Sequence, residues 1–324
     1  MKLQQIKYIF EVARNQLNVS ATAEALFTSQ PGISKQIRQL EDELGVEIFV
    51  RSGKHLTNIT PAGREILPVA ENILKQVRKI QNIAASYVSE KEGRLSFAPI
   101  PTYARYHLSG LIENFTKKYQ EVSLIVNQNN SEMSNQQINR GQVDFALAYE
   151  EDDAFDGKVK VPAFYWRRAL VVPKNHSLAK SGNIELANLA HFPLLINTIM
   201  SGTRNPVLEQ FSANGLNPKV VCNTDDNEVI KANVRLGIGV GVVARMSYDE
   251  YIDNDLVCID VDKLFAPTLV NLVFDQNLYI RDYMNDFIEM IVSAHGKDTI
   301  TKAQKTRSAE ELAQIFDLKK LPIL

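Results

Sequence analysis

The chain has 324 residues, 45% of them hydrophobic and 23% charged, with a formal net charge of −2. That length suits two or three domains, and the near-neutral balance excludes a globally basic nucleic-acid binder, so any cationic footprint has to be local. Two cysteines (Cys222 and Cys258), no secretion signal and no apolar run near the roughly 18 residues of a membrane span imply a cytoplasmic protein with no disulfide framework and no membrane partner.

Residues 3–14 read as a first helix with Ile6, Phe10 and Ala13 turned inward, a scaffold against which the next two helices can pack. Residues 19–26 form a short Ala-rich helix with Val19, Ala23 and Leu26 at helical spacing. Phe27 and Thr28 break that pattern. Pro31 then falls at the first position of a new helix, where its missing amide hydrogen has no intrahelical partner to lose. Ile33, Ile37, Leu40 and Leu44 supply one apolar face. The opposite face carries Ser34, Lys35 and Arg38, with Ser29 and Gln30 at the tip. Gln and Arg side chains can bond base edges in a major groove, while hydroxyls, Lys and helix N-terminal amides hold phosphates.

After Gly45, residues 47–50 read as a strand and 51–55 as a basic turn containing Gly53. A strand-turn-strand carrying Arg51 and Lys54 beside a recognition helix is the expected wing. Ser29, Gln30, Pro31, Ser34, Lys35, Arg38, Arg51 and Lys54 are therefore the candidate DNA-binding residues. The alternative is a small helical domain whose charges only face solvent, and Glu41, Asp42 and Glu43 keep it open.

Thr60 and Pro61 mark the start of a long helix. Ile66, Ala70, Ile73, Val77, Ile80, Ala84 and Tyr87 alternate at four and three residues, a heptad seam over about three repeats. Run to about Lys91, the helix is roughly 45 Å long at 1.5 Å per residue. Its narrow stripe needs a partner, and the simplest is the same helix of a second subunit. Packing on the chain's own domains is the alternative. Pro68 should kink the helix near its start.

From Arg94 strands and helices alternate: strand 95–100, helix 105–119, strand 122–127, helix 131–141, strand 143–149. A second series has strands at 169–172, 193–196, 220–222, 240–244 and 256–259 and helices at 204–214 and 226–236. The chain then returns through strand 268–274 and helix 279–294. The order implies mostly parallel sheets in two lobes. In the tail, Ser308 to Glu311 reads as a capping box before a short helix.

This divides the chain into a winged helix-turn-helix (1–60), a linker and dimerisation helix (61–92), a two-lobed α/β domain (93–296) and a C-terminal extension (297–324). Lobe I takes 94–160 and 268–294, and lobe II 163–265. The fold class is α/β, with the two-lobed body of periplasmic-binding-protein type.

The glycines of 236–242 lack dinucleotide-loop spacing and lead into a strand, so they mark a tight, closely packed turn. His55, His107, His176, His191 and His295 share no metal-ligand spacing, and no catalytic motif occurs. Neither a metal, a cofactor nor an enzymatic activity is expected. Ligands of two-lobed α/β bodies bind between the lobes at the carboxyl ends of the strands. Ile100, Thr102, Tyr103 and Tyr149 should reach that cleft from one side, and Gly202, Thr203 and Trp166 from the other. Thr102 could meet a small anion there or serve only as a helix cap. A metabolite-sensing or solute-binding module with no operator is the rival reading.

These residues resemble the LysR-type transcriptional regulators over the full length, and the CysB-like branch in particular strings. The strings are MKLQQIKYI at the start, TSQPGISKQIRQLEDELG at 28–45, RSGKHLT at 51–57, ARY at 104–106 and VIKANVRLGIGVGV at 229–242. The resemblance implies a homodimer or homotetramer that binds promoter DNA, with RNA polymerase as a further partner. It also implies control of sulfur assimilation or cysteine synthesis, with an acetylserine-like or sulfate-like anion as effector. The branch's cleft pattern T-x-T-Q-A-R-Y is altered here. Ile100 and Tyr103 replace a Thr and the Gln, Tyr149 stands where a Thr is expected, and Gly202-Thr203 reverses Thr-Gly. The changes predict weakened sulfate and acetylserine binding, and an effector that is bulkier or less polar.

Overall fold

The computed structural model describes the chain apart from residues 54, 90, 151, 181–183, 198–204, 307–310 and 312–313. It divides into two units, Met1–Ala85 and Ser86–Leu324. In the first, α1 (Leu3–Arg14), α2 (Val19–Ala25) and α3 (Gln30–Leu44) pack with the hairpin β1 (Phe49–Ser52) and β2 (His55–Ile59) and the start of α4 (Pro61–Val88). The inward face of α1 is centred on Ile9 and Val12, both fully buried, while Phe10 and Ala13 lie at its margin. Asn18 and Ser29 cap α2 and α3 by accepting the amides of Ala21 and Gly32. Pro31 is thus the second residue of α3 rather than the first. Gly45 closes α3 at φ 70°, a conformation that favours glycine.

Thr60 caps α4 by accepting the Gly63 amide at 2.9 Å, and its own hydroxyl donates to the Glu47 carbonyl at 2.6 Å. A Cβ on Gly63 would stand 2.2 Å from the Ile48 carbonyl oxygen, so only glycine lets α4 lie against the wing strand. Beyond Ala70 none of the helix's residues is buried. Val69, Ile80, Tyr87 and Val88 are exposed apolar side chains along it, and Pro68 lies inside it.

The second unit holds two five-stranded mixed sheets of matching design. Its elements in order are β3 (Glu92–Ala98), α5 (Pro101–Tyr106), α6 (Leu108–Lys118), β4 (Glu121–Val126), α7 (Ser131–Asn139), β5 (Phe145–Tyr149), β6 (Val159–Trp166) and β7 (Arg168–Pro173). Then come α8 (Leu186–Leu189), β8 (Leu194–Asn197), α9 (Pro206–Ala213), β9 (Val220–Thr224), α10 (Asn227–Arg235), β10 (Val240–Ala244), β11 (Leu256–Asp260), β12 (Thr268–Phe274), α11 (Asp282–Ile291) and α12 (Lys297–Lys305). The strand orders are β4-β3-β5-β12-β6 and β11-β7-β10-β8-β9. In each sheet three neighbouring strands run parallel and the remaining pairings are antiparallel.

Two expectations need correction. Residues 105–119 are not one helix, because α5 ends at Tyr106 and α6 begins at Leu108, with His107 between them. Residues 161–166 belong to lobe I, since β6 pairs with β12 along its length, so Trp166 comes from the first lobe and not the second. The predicted capping box at 308–311 falls largely outside the described residues. Another helix, α12, precedes it and buries Ile300 and Ala303 in the core of lobe I. The glycine run is a close approach, as its spacing implies: a Cβ on Gly239 would stand 2.3 Å from the Pro193 carbonyl oxygen.

Candidate functional site

On the helix-turn-helix, Ile33, Ile37 and Leu40 are buried and hold α3 from behind. Ser29, Pro31, Lys35 and Arg38 are exposed on the other side, with Gln30 and Ser34 partly so. The Gln30 amide donates to the Ser34 hydroxyl at 3.1 Å, which orders both at the N-terminal tip of the helix. Lys35 and Arg38 make no ion pair among the described residues, so their charge is available to an external anion. Arg51 differs. Its guanidinium sits 2.6 Å from Glu41, whose other oxygen accepts the amides of Ile48 and Phe49 at 2.9 and 3.1 Å. Glu41 is 7% exposed. It therefore ties the wing strand to α3, and the Arg51 charge is spent inside the domain. Lys54 lies outside the described residues.

The second site is a pocket at the carboxyl ends of parallel strands, where the loops after β3, β4, β5 and β9 meet Asn197 at the end of β8. Its cavity is about 30 Å³, enough for about two water molecules, and it opens into a wider concavity of about 530 Å³ that includes solvent. Ile100, Thr102 and Tyr149 line it. Tyr103 and Trp166 do not. Tyr103 is buried in the lobe I core, stacked on Phe164 with centroids 5.1 Å apart. Trp166 is equally buried and meets the site through Tyr149, at 5.9 Å between centroids, while the Arg168 guanidinium covers its ring at 4.5 Å. Gly202 and Thr203 lie outside the described residues. Burial, reinforced by the Asp152 charge, pushes the Tyr149 phenol up to about 12, against the opposing pull of Arg168.

Among the polar residues of the pocket wall that were not picked out by sequence are Ser134, Asp152, Asn197 and Asp225. Asp152 begins a one-turn helix by accepting the Ala154 amide at 3.1 Å. A short polar residue before a turn was the only signal available, and it is shared by many loops.

The lobes are fastened beside the pocket by α5 and the start of α10. Asn227, 2% exposed, donates to the Thr102 hydroxyl at 3.2 Å and accepts the Ala244 amide at 3.1 Å and the Asn197 amide group at 3.2 Å. Tyr106 donates to Glu228 at 2.6 Å, and Arg105 pairs with Asp226 at 3.3 Å. Burial and the Glu228 contact together push the Tyr106 phenol far up. Glu228 also meets Lys231, which is 2% exposed and anchored on Asp253 at 2.7 Å. Thr102 is thus a lobe-to-lobe contact as well as part of the pocket wall.

Residues 3–64 match the family model "Bacterial regulatory helix-turn-helix protein, lysR family", and residues 89–296 match "LysR substrate binding domain". The chain is 39% identical to the HTH-type transcriptional regulator CysB of Haemophilus influenzae over 98% of both chains. It is 34% identical to the HTH-type transcriptional regulator SsuR of Burkholderia cenocepacia, across 90% of this chain and 94% of that one. Among solved structures, the cofactor-binding domain of the Cbl transcriptional regulator aligns with a TM-score of 0.61 and 28% identity, covering 66% of this chain and 95% of its own.

Proposed function

This chain belongs to the LysR family of bacterial transcriptional regulators, and we propose that it switches sulfur-assimilation or cysteine-synthesis genes in response to a small molecule held between its lobes. Promoter DNA is bound by residues 1–60, 61–92 pair two subunits, and 93–296 hold the effector. The exposed apolar positions Ile80, Tyr87 and Val88 support pairing through α4, in a homodimer or homotetramer. A regulator of this kind works in the cytoplasm, where its promoter and RNA polymerase are.

The DNA half rests on Lys35 and Arg38, exposed on the flank of α3 opposite its buried stripe and unpaired among the described residues. Ser29, Gln30, Pro31 and Ser34 complete that flank. Arg51 contributes less, because pairing with Glu41 leaves it few counterions to release.

Gel-shift titration on promoter fragments selected from the genome, run across a salt series, tests this. Arg38→Ala and Lys35→Ala should each weaken binding and flatten the slope of log K against log salt by about one per DNA-bound subunit. Arg51→Ala should leave the slope within experimental error. Binding unchanged by Arg38→Ala refutes the assignment of this surface.

A further inference from the structure

The pocket between the lobes has a charge opposite to that of a sulfate site. Among the described residues, none of those lining it is Lys, Arg or His, and two are acids, Asp152 and Asp225. Asp152 comes from the loop after β5 and Asp225 from the loop after β9, so each lobe contributes one carboxylate. Asp152 is 2% exposed. One of its oxygens accepts the Ala154 amide at 3.1 Å, while Oδ2 is buried with no hydrogen-bond partner among the described residues. Lys160 is no counterion to that oxygen: its ammonium bonds the Asp152 carbonyl at 3.4 Å and pairs with Asp156 at 3.8 Å.

A buried carboxylate oxygen is stabilised only by a donor, and best by a charged one. A sulfate or acylated amino acid brought to this wall would place its own acceptors against Asp152 and Asp225, with no cation between them among the described residues. We propose that the pocket recognises a small molecule through a free primary ammonium group, which pairs with the Asp152 carboxylate, with Asp225 as the second negative charge. The 30 Å³ cavity matches such a head group, with the rest of the ligand in the wider concavity. Asn197 and Ser134 offer neutral hydrogen bonds on the same wall. This deepens the proposed function by naming the chemistry of its effector, and it rests on that reading of the cleft.

Isothermal titration of the full-length protein tests it with matched pairs: glycine, L-serine, L-homoserine and O-methyl-L-serine, each against its N-acetyl derivative, with sodium sulfate alongside. At least one free amine should bind ten-fold or more tightly than its N-acetyl partner and than sulfate. Trp166, the one tryptophan of the chain, touches Tyr149 in the pocket wall and gives an independent fluorescence signal. Asp152→Asn should cost the bound amine ten-fold or more. Asp152→Leu should do the same and bring the N-acetyl compound level with the amine. Tighter binding of sulfate or an N-acetyl derivative overturns the ammonium preference while leaving the cleft as effector site. If nothing binds yet promoter fragments are retained, the proposal and the cleft assignment both fall, and the regulator stands.

Discussion

Asp144 illustrates how a single carboxylate can work against the fold that holds it. It accepts the Ser96 amide at 2.7 Å, yet burial outweighs that bond and the nearby Arg94, lifting the group to about 6. The folded form therefore holds its proton more tightly than the unfolded chain, whose ordinary value is 3.8. Below about pH 4 both states are protonated and the group costs nothing. As pH rises through 6 the folded state must ionise a buried acid, and stability falls by roughly 2–3 kcal/mol at about 1.36 kcal/mol per pH unit of displacement. Asp144→Asn keeps an acceptor for the Ser96 amide and removes the charge. Its melting temperature should exceed that of the parent chain at pH 8, and the advantage should vanish as the buffer is taken from pH 6 to pH 4. A constant difference across that range would show that Asp144 is not the titrating group.

At the scale of elements, α5 and α10 fasten one lobe to the other through contacts of unequal worth. Asn227 satisfies a buried backbone amide and two side chains at once, so Asn227→Ala should destabilise the effector unit most, by about 2–3 kcal/mol. Tyr106→Phe removes one short bond to a carboxylate that keeps Lys231, for about 1–2 kcal/mol. Arg105→Ala should cost under about 0.5 kcal/mol, since that pair is half-exposed and screened. Urea melts of the three variants check the order, and an Arg105 variant as damaged as the Asn227 one would refute the latch as drawn. The same elements mark where sequence reading succeeds and where it stops. The cap at Thr60, the α3 stripe and the strands β10 and β12 were legible because each signal is local or periodic. The break at His107, the lobe membership of β6 and the inward turn of Tyr103 were not, because each depends on what the chain packs against from far along the sequence. Arg51 looked free for the same reason. Its partner is ten residues away on another element, and a cation next to a glycine turn gives no sign of it.

In the whole molecule, the C-terminal extension is part of the lobe I body rather than an appendage. Phe316 packs on His295 at 4.8 Å, and His295 in turn bonds the Pro162 carbonyl of β6. The last residues then lie along the edge of β6: Tyr165 donates to the Pro322 carbonyl at 2.8 Å, Leu324 to the Tyr165 carbonyl at 2.8 Å, and Arg167 to the Leu324 carbonyl at 3.1 Å. Arg167 stands at the crossing between the lobes, and its side chain reaches Asp260 and Asp262 of the return. The tail so extends the sheet of lobe I at the place where the two lobes are joined, and it covers an edge that would otherwise offer unpaired backbone groups. A chain ending at Thr306 loses buried Phe316 and Leu321 together with those three backbone bonds. Each buried side chain is worth about 1.5–3 kcal/mol, so the loss is about 3–6 kcal/mol before any bond is counted. A unit of this size should then melt roughly 6–24 °C lower, at about 2–4 °C per kcal/mol. Phe316→Ala alone should reproduce about half of the shift. The unit Met1–Ala85 contains none of these contacts and should keep its own transition in calorimetry. An unshifted second transition in the truncated chain would mean that the β6 edge is stable without its cover.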